Sequence, residues 1–295
     1  MSSSVTWDDQ RVFLAVLEEG SLSGAARRLG LSHPTVRARL EGMEAALGTV
    51  LFTRSANGLA PTESALALRA PARSMAIASE LFNRQASAPP GEVAGTVRLS
   101  VPDFIGVEVV PPMLGALRQA HPGLRIELSL TNAVEDVLGQ EVDLAIRMMR
   151  PAQDALVARK IADIPLGFFA AESYLRRQGK PTTVAELANH DIIGPDRSRP
   201  DLMLVEALAI GITRPNLVLR TDNHPAQAAA VRAGLGIGVL QVPVGARDPN
   251  LRRVLPDFVP VMLETWIVTH ENLRHVPRIR ATLDSLTEAF NAYAR

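Results

Sequence analysis

The sequence predicts an N-terminal helical region followed by two small α/β lobes, and three observations carry this. Up to Ser87 the apolar residues recur almost throughout at helical spacing. From Ser87 to Gly95 the chain reads Ser-Ala-Pro-Pro-Gly-Glu-Val-Ala-Gly, a cluster of helix breakers whose one large apolar side chain is Val93. Beyond it, β-branched and leucine-rich runs alternate with helical patterns. Strands are expected at Val97–Val101, Leu124–Leu130, Val142–Ile146, Asn216–Arg220 and Ile237–Leu240, and helices at Val109–Ala120, Leu202–Ile210 and Pro225–Ala233. Such alternation implies parallel sheets covered by helices. About 200 residues follow the break, enough for two small lobes rather than one. No internal repeat is visible.

Composition sets the outer limits. The 295 residues are 47% hydrophobic and 21% charged, ordinary globular usage that excludes disordered and low-complexity readings. Thirty-one basic and 31 acidic side chains cancel, which excludes a uniformly basic coat and leaves room for a local patch. The absence of cysteine excludes disulfides, thiolate zinc sites and a cysteine nucleophile. The longest uncharged stretch, Ala233 to Ala246, falls short of the roughly 20 apolar residues of a membrane helix. The first residues show neither a basic region nor an apolar core of an export signal, so a cytoplasmic protein is expected.

The most informative stretch runs from Ala25 to Leu40. Ser21 is placed to cap a helix from Leu22 to Leu29, and Gly30 stands where a left-handed residue ends it. Ser32 caps a second helix with Pro34 in its first turn, where a missing N–H is harmless. Val36, Leu40, Met43 and Leu47 should form its buried stripe. Ala26 allows the helices to cross closely and Val36 fills their angle, which together make a helix-turn-helix. The other face offers His33, Pro34, Thr35, Arg37, Ala38 and Glu41 at the end that enters a major groove, where arginine reads guanine. From Arg27 to Arg54 five arginines face two glutamates, a positive patch on a neutral chain. A solvated helical hairpin inside an enzyme would share the periodicity.

The segment Phe13–Ser64 resembles the winged helix-turn-helix of LysR-type transcriptional regulators. The likeness is carried by Phe13–Leu22, Ala25–Gly30, Ser32–Val36, Met43–Gly48, the Leu-Phe-x-Arg block at Leu51–Arg54, and Gly58–Glu63. It continues more loosely through His121-Pro122-Gly123, Leu138–Ile146 and Ala233–Leu240. It implies contacts to double-stranded DNA from Ser32, His33, Pro34, Thr35, Arg37, Ala38 and Arg39. Arg54, Ser55 and Asn57 fall on the implied wing, placed for phosphate or minor-groove contact. Arg37 and Ala38 stand where the family usually has serine then arginine, His33 where it has glutamine, and Glu41-Gly42 where a basic pair is common. No operator preference carries over.

Thr62 is placed to cap a linker helix running towards residue 86. Leu68, Met75 and Phe82 recur every seven residues with Ala78 on the same seam. Periodicity suits equally a pairing between chains and packing on the chain's own domain; the resemblance favours a homodimer or tetramer. Pro71 predicts a kink or break near Ala67–Pro71, at a cost of about 3 kcal/mol.

The remaining residues are expected to form the two-lobed, periplasmic-binding-protein-like effector domain that the resemblance implies. Its lobes would comprise about 96–162 with 269–295, and 163–268. Ligands of open α/β sheets lie beyond strand C-termini and near helix N-termini. That rule selects Ser100, Val101, Pro102, Asp103 and Phe104 after the first strand, Arg147 after another, and Thr221, Asp222 and Asn223 before a helix. Ser100 as a capping hydroxyl, Arg147 as a surface ion-pair partner and Asp222 as an N-cap are the structural alternatives. Arginine with two hydroxyls makes a small carboxylate the expected effector, since arginine binds one bidentately; Asp103 and Asp222 oppose this and would suit an amphoteric or neutral polar molecule instead.

Gly234-Leu-Gly-Ile-Gly238 follows a helix and precedes a strand, the reverse of a dinucleotide fingerprint, so it reads as a turn. The histidines do not cluster as metal ligands, and no cofactor is implied. No nucleophile elbow or phosphate loop occurs. The expected protein is a ligand-responsive transcriptional regulator, not an enzyme. The alternative is an enzyme or solute-binding protein built on the two-lobed domain.

Overall fold

The computed structural model describes residues 5–55, 58–86, 92–132, 142–150 and 156–295. Two compact units result, one formed mainly by residues 1–87 and the other by the rest.

The first unit begins with α1 (Trp7–Glu19). Thr6 accepts from the Asp9 amide while the Asp9 carboxylate accepts from the Thr6 amide, a reciprocal cap. α2 (Leu22–Leu29) is capped by Ser21 and ended by Gly30 at φ 65°. α3 (His33–Leu47) is capped by Ser32, with Pro34 in its first turn. The caps and the short turn predicted from sequence are thus all present. Val36, Leu40 and Met43 are buried against Phe13, Val16 and Leu51 in one core. Leu47 departs from the expected stripe: it is 43% exposed, because the last turn of α3 runs past the edge of that core.

A hairpin follows, with β1 (Phe52–Ser55) antiparallel to β2 (Gly58–Pro61). Its tip, including Asn57, lies outside the described residues. Two contacts fix the hairpin. Glu44 of α3 accepts from the amides of Leu51 (2.6 Å) and Phe52 (3.2 Å). The Leu59 amide donates to the carbonyl of Gly20 (2.8 Å), so β2 lies against the end of α1. Gly58 is required there: its φ is 126°, and a Cβ would stand 2.5 Å from the Gly20 oxygen.

α4 (Glu63–Ala86) is started by Thr62, whose hydroxyl accepts from the Ala65 amide and donates to the Val50 carbonyl. It runs unbroken through Pro71, so the expected break is absent. Ala65 and Ala72 are buried and Leu68 and Ala76 half-buried in the first unit's core, on both sides of the proline, which offsets the missing hydrogen bond. The heptad seam divides along the helix. Leu68 packs on its own domain, whereas Met75, Ala78 and Phe82 face outwards.

The second unit opens with β3 (Gly95–Val101), α5 (Asp103–Glu108), α6 (Val110–Ala120), β4 (Leu124–Leu130) and β5 (Leu144–Arg147). β3 pairs in parallel with β4 on one side and β5 on the other. The 16-residue β6 (Leu156–Ala171) then leads to α7 (Glu172–Gln178), β7 (Ile192–Gly194), α8 (Arg199–Leu208), β8 (Leu217–Arg220) and α9 (His224–Arg232). The chain ends with β9 (Gly238–Gln241), α10 (Val242–Arg247), β10 (Leu251–Val254), β11 (Met262–His270) and α11 (Pro277–Tyr293).

β6 joins two sub-sheets. Leu156–Pro165 pairs with β11, and Leu166–Ala171 pairs with β9 and β10, all antiparallel. β11 also pairs with β5 over Trp266–Thr269 and so belongs wholly to the first lobe, which moves the expected return near 268 to before Met262. Phe168, Tyr174, Leu187, Ile192 and Ile237 centre the core of the second lobe. The run Gly234–Gly238 joins α9 to β9 as the expected turn. A Cβ on Gly236 would stand 2.4 Å from the Asp191 carbonyl, which receives the Ile237 amide at 2.8 Å.

Replacing Gly58 with Ala should destabilise the first unit by about 1–3 kcal/mol through its φ and the Gly20 approach. Chemical denaturation followed by the fluorescence of Trp7 in a Trp266→Phe background measures this, and an unchanged midpoint would contradict it.

Candidate nucleic-acid interface and ligand cleft

On α3, Ser32, His33, Pro34, Arg37, Ala38 and Glu41 are exposed and Thr35 is half-buried. Ser32 and Thr35 are occupied with the helix start: the Ser32 hydroxyl accepts from the Thr35 amide at 3.2 Å and meets its hydroxyl at 2.7 Å. The five arginines divide into two groups. Arg39 reaches back to Asp8 (3.3 Å) and Asp9 (3.2 Å) of α1, and Arg28 pairs with Glu18 and Glu19. Arg27, Arg37 and Arg54 are exposed and make no ion pair among the described residues. Arg54 and Ser55 stand exposed on β1. The surface on offer is therefore the outer face of the first turns of α3 plus the hairpin, with Arg39 serving to fasten α3 to α1. Glu44, which seats the hairpin, escaped sequence reasoning.

In the second unit, the predicted cleft residues form two groups. Ser100 and Arg147 meet at the ends of neighbouring strands β3 and β5, and they are only 1% and 6% exposed. The Arg147 guanidinium donates to the Ser100 hydroxyl (2.9 Å), the Ser100 carbonyl (3.3 Å) and the Ile146 carbonyl (2.8 Å). Neither structural alternative holds: Ser100 is not a helix cap and Arg147 is not a surface residue. The guanidinium is a brace between strand ends. Val101 is buried at the end of β3, Pro102 precedes α5, and Phe104 is buried.

The second group lies between the lobes. Asp103, first residue of α5, accepts from the side-chain amide of Asn223 at 3.3 Å, and its own amide donates to Asn132 at 3.2 Å. Asn223 caps α9 by accepting from the Ala226 amide. Thr221 accepts from the Asn223 amide. Asp222 accepts from the amides of Asp196, Arg197 and Ser198, and these donors, Ser198 foremost, hold its carboxyl below the usual range. Its carboxylate thus orders a loop.

His224 was missed, although a residue directly after an N-cap at a strand end is positioned like the N-cap itself. Its Nδ1 lies 3.6 Å from Asp103 and its Nε2 3.2 Å from Asp201 of α8. The hydrogen bond with Asp201, aided by both carboxylate charges, raises its pKa above the ordinary value despite burial. The same bond lowers that of Asp201. Among the described residues no group of three or more metal-ligating side chains occurs, and no helix is long and apolar enough to cross a membrane.

A capped helix-turn-helix with an attached hairpin, followed by a two-lobed α/β domain with a polar mouth, defines a DNA-binding protein with a ligand domain. Comparison with known proteins identifies the family. Residues 7–66 match the bacterial regulatory helix-turn-helix protein, lysR family, and residues 90–291 match the LysR substrate binding domain. The HTH-type transcriptional regulator TdfR of Cupriavidus pinatubonensis is 27% identical over 286 residues, covering 93% of this chain and 95% of that one. An HTH-type transcriptional regulator of Xanthomonas campestris is 31% identical over 196 residues, covering 65% of this chain and 56% of the relative. The crystal structure of full-length CbnR complexed with its target DNA superposes with a TM-score of 0.69 at 20% identity, covering 96% of this chain and 99% of that one. The chain belongs to the LysR family of transcriptional regulators. These relatives are named as regulators, which sets aside the enzyme and solute-binding alternative.

If Arg147 is a brace, Arg147→Ala should cost the second unit about 1–3 kcal/mol, because the Ser100 and Ile146 carbonyls lose a buried donor. The urea midpoint reports this, and an unchanged midpoint would remove the brace.

Proposed function

We propose that the chain is a cytoplasmic regulator that reads operator DNA with α3 and the hairpin and responds to a small molecule held between its lobes. The division of labour would be 1–61 for DNA, 62–86 for pairing, 87–95 as hinge and 96–295 for the effector. The observation that carries this reading is the outer face of α3. Arg37 stands exposed beside Ala38 with no intramolecular ion pair among the described residues, while its neighbour Arg39 is drawn back to α1. A guanidinium so placed is ready to bond a guanine edge. Arg54 and Ser55, with Asn57 from the same turn of sequence, suit phosphate oxygens.

The predicted carboxylate effector depended on Arg147 offering its guanidinium. With three of its five N–H groups bonded to Ser100 and Ile146, and with Asp103, Asn223 and His224 at the mouth, an amphoteric or neutral polar effector fits better.

Titration on the DNA just upstream of the gene tests the first claim. Arg37→Ala should weaken binding by about 1–3 kcal/mol with thermal stability unchanged. Arg54→Ala should reduce the slope of log affinity against log salt by about one unit, the share of a single neutralised phosphate. Arg39→Ala should leave that slope alone and change the melting temperature only slightly. No binding by the parent chain, or equal effects of all three changes, would defeat the assignment.

Self-association would use the outward Met75, Ala78 and Phe82 of α4, with Phe82 72% exposed. Such pairing gives a two-fold assembly on half-sites about one helical turn apart, or a multiple of it. Met75→Glu should convert the assembly to monomers in light scattering; a parent chain already monomeric would refute the pairing.

A further inference from the structure

Helices α5 and α9 come from different lobes and are tied at both ends, by ties of different chemistry. At one end Arg232 of α9 grips Glu108 of α5 through two parallel hydrogen bonds of 2.7 and 2.8 Å, and its Nε reaches Asp248 at 3.0 Å. The guanidinium keeps its charge throughout the accessible pH range, so this tie holds no proton that a neutral-to-alkaline change removes. At the other end the ring of His224 stands between Asp103 of α5 and Asp201 of α8, at 3.6 and 3.2 Å, with the Asn223–Asp103 bond beside it.

A neutral imidazole has one N–H and one lone pair. Placed here, it could donate to only one carboxylate and would turn its lone pair on the other. The doubly protonated ring donates to Asp201 and turns its second N–H, with its charge, towards Asp103 in an ion pair. We propose that His224 is a proton-operated latch at the mouth between the lobes: protonated, it clasps Asp103 of the first lobe to Asp201 of the second, and deprotonated, it lets go of Asp103 and leaves that end to the weaker, neutral Asn223–Asp103 bond while Arg232–Glu108 serves as the pivot. The proposal rests on the reading that the ligand site lies between the lobes, and it adds the proton as a second ligand of that site.

The charged surroundings agree. Asp103 faces the ring from α5 and Asp201 from α8. Asp222, ahead of α9, acts on Asp201, but its carboxylate is engaged by the amides of residues 196–198, and Asn132, which orients Asp103, is neutral. The sign follows from the raised pKa of His224. The clasp is fully formed below the ordinary histidine value of about 6.5 and is lost as pH rises through the higher folded value. Regulation by the effector should therefore weaken in alkaline conditions.

The chain lacks cysteine, so two introduced cysteines are unique label sites. Spin labels at Gln119→Cys on α6 and Gln178→Cys on α7, both exposed, report the distance between lobes by pulsed dipolar spectroscopy of the full chain. Labelled protomers are diluted with unlabelled ones. Between about pH 5.5 and 9 a single short distance should give way to a longer or broader distribution, with a midpoint above about 6.5. His224→Gln should abolish the transition. Asp103→Asn removes one partner and leaves the ring in place; it should move the midpoint down, and it serves should the first variant fail to fold. A distance distribution independent of pH, or an unchanged midpoint in Asp103→Asn, would overturn the latch. DNA titration of the same samples is independent of that result. Intact operator binding with no pH response refutes the latch alone, whereas absence of binding by the parent chain refutes the regulator reading.

Discussion

The two-lobed half of the molecule depends on one unbroken backbone, that of β6. Its 16 residues span roughly 50 Å at strand rise, more than either sub-sheet needs. Each half finds its own partners, β11 for the first and β9 with β10 for the second. The change of partner falls at Pro165 and Leu166. Pro165 has no N–H to leave unpaired, and the Leu166 amide donates to Val261 at 2.9 Å as β11 begins. The lobes are therefore joined by a strand whose hydrogen bonds are satisfied on both sides of the changeover. The chain crosses back between β10 and β11, and away from these crossings the lobes meet where α5 packs on α9.

The DNA-binding unit solves a different problem, that of presenting positive charge on a chain of zero net charge. Acidic residues on α1 are placed to remove particular arginines from the surface field. Asp9 closes the cap of its own helix with Thr6 and also receives Arg39, so one carboxylate fixes the start of α1 and the rotation of α3. Glu18 and Glu19 occupy Arg28. Arg27, Arg37 and Arg54 are left exposed without an ion pair among the described residues. Exposed pairs of this kind contribute little to stability, but they sort the arginines into those that hold the helices and those that meet a partner.

Sequence alone made the first unit legible because its signals are local. Caps at Ser21 and Ser32, the left-handed Gly30 and the spacing of Val36, Leu40 and Met43 act within a turn or two of helix. What it missed depends on distant chain. β6 carries Pro165 and Gly167 and shows no steady alternation, because its second half, Gly167–Ala171, is buried on both faces. β11 is intelligible only as its partner. The continuity of α4 through Pro71 comes from the first unit's core, which the helix sequence does not contain. Leu47 fits the helical period and still lies outside the core. For the site, strand-end reasoning found Ser100, Asp103, Arg147 and Asn223, but not their division into a buried brace and a polar mouth. His224 stayed hidden because Asp103 and Asp201, which give it its chemistry, lie 121 and 23 residues away in the chain.

That division has a physical logic. A guanidinium is costly to bury and cannot shed its charge, so once paired it makes a tie that no physiological loss of a proton from the arginine undoes. The effector half gives its arginines such duties: Arg147 between strand ends, Arg232 between helices. Asp222, held by three backbone amides, is similarly fixed. The groups left at the mouth are Asp103, Asn223 and His224, whose hydrogen bonds can be exchanged for those of a ligand or altered by one proton at small cost. A sensor needs a rigid frame and a contact whose free energy is comparable to that of the signal it receives. Placing permanent charges in the frame and exchangeable ones at the mouth supplies both.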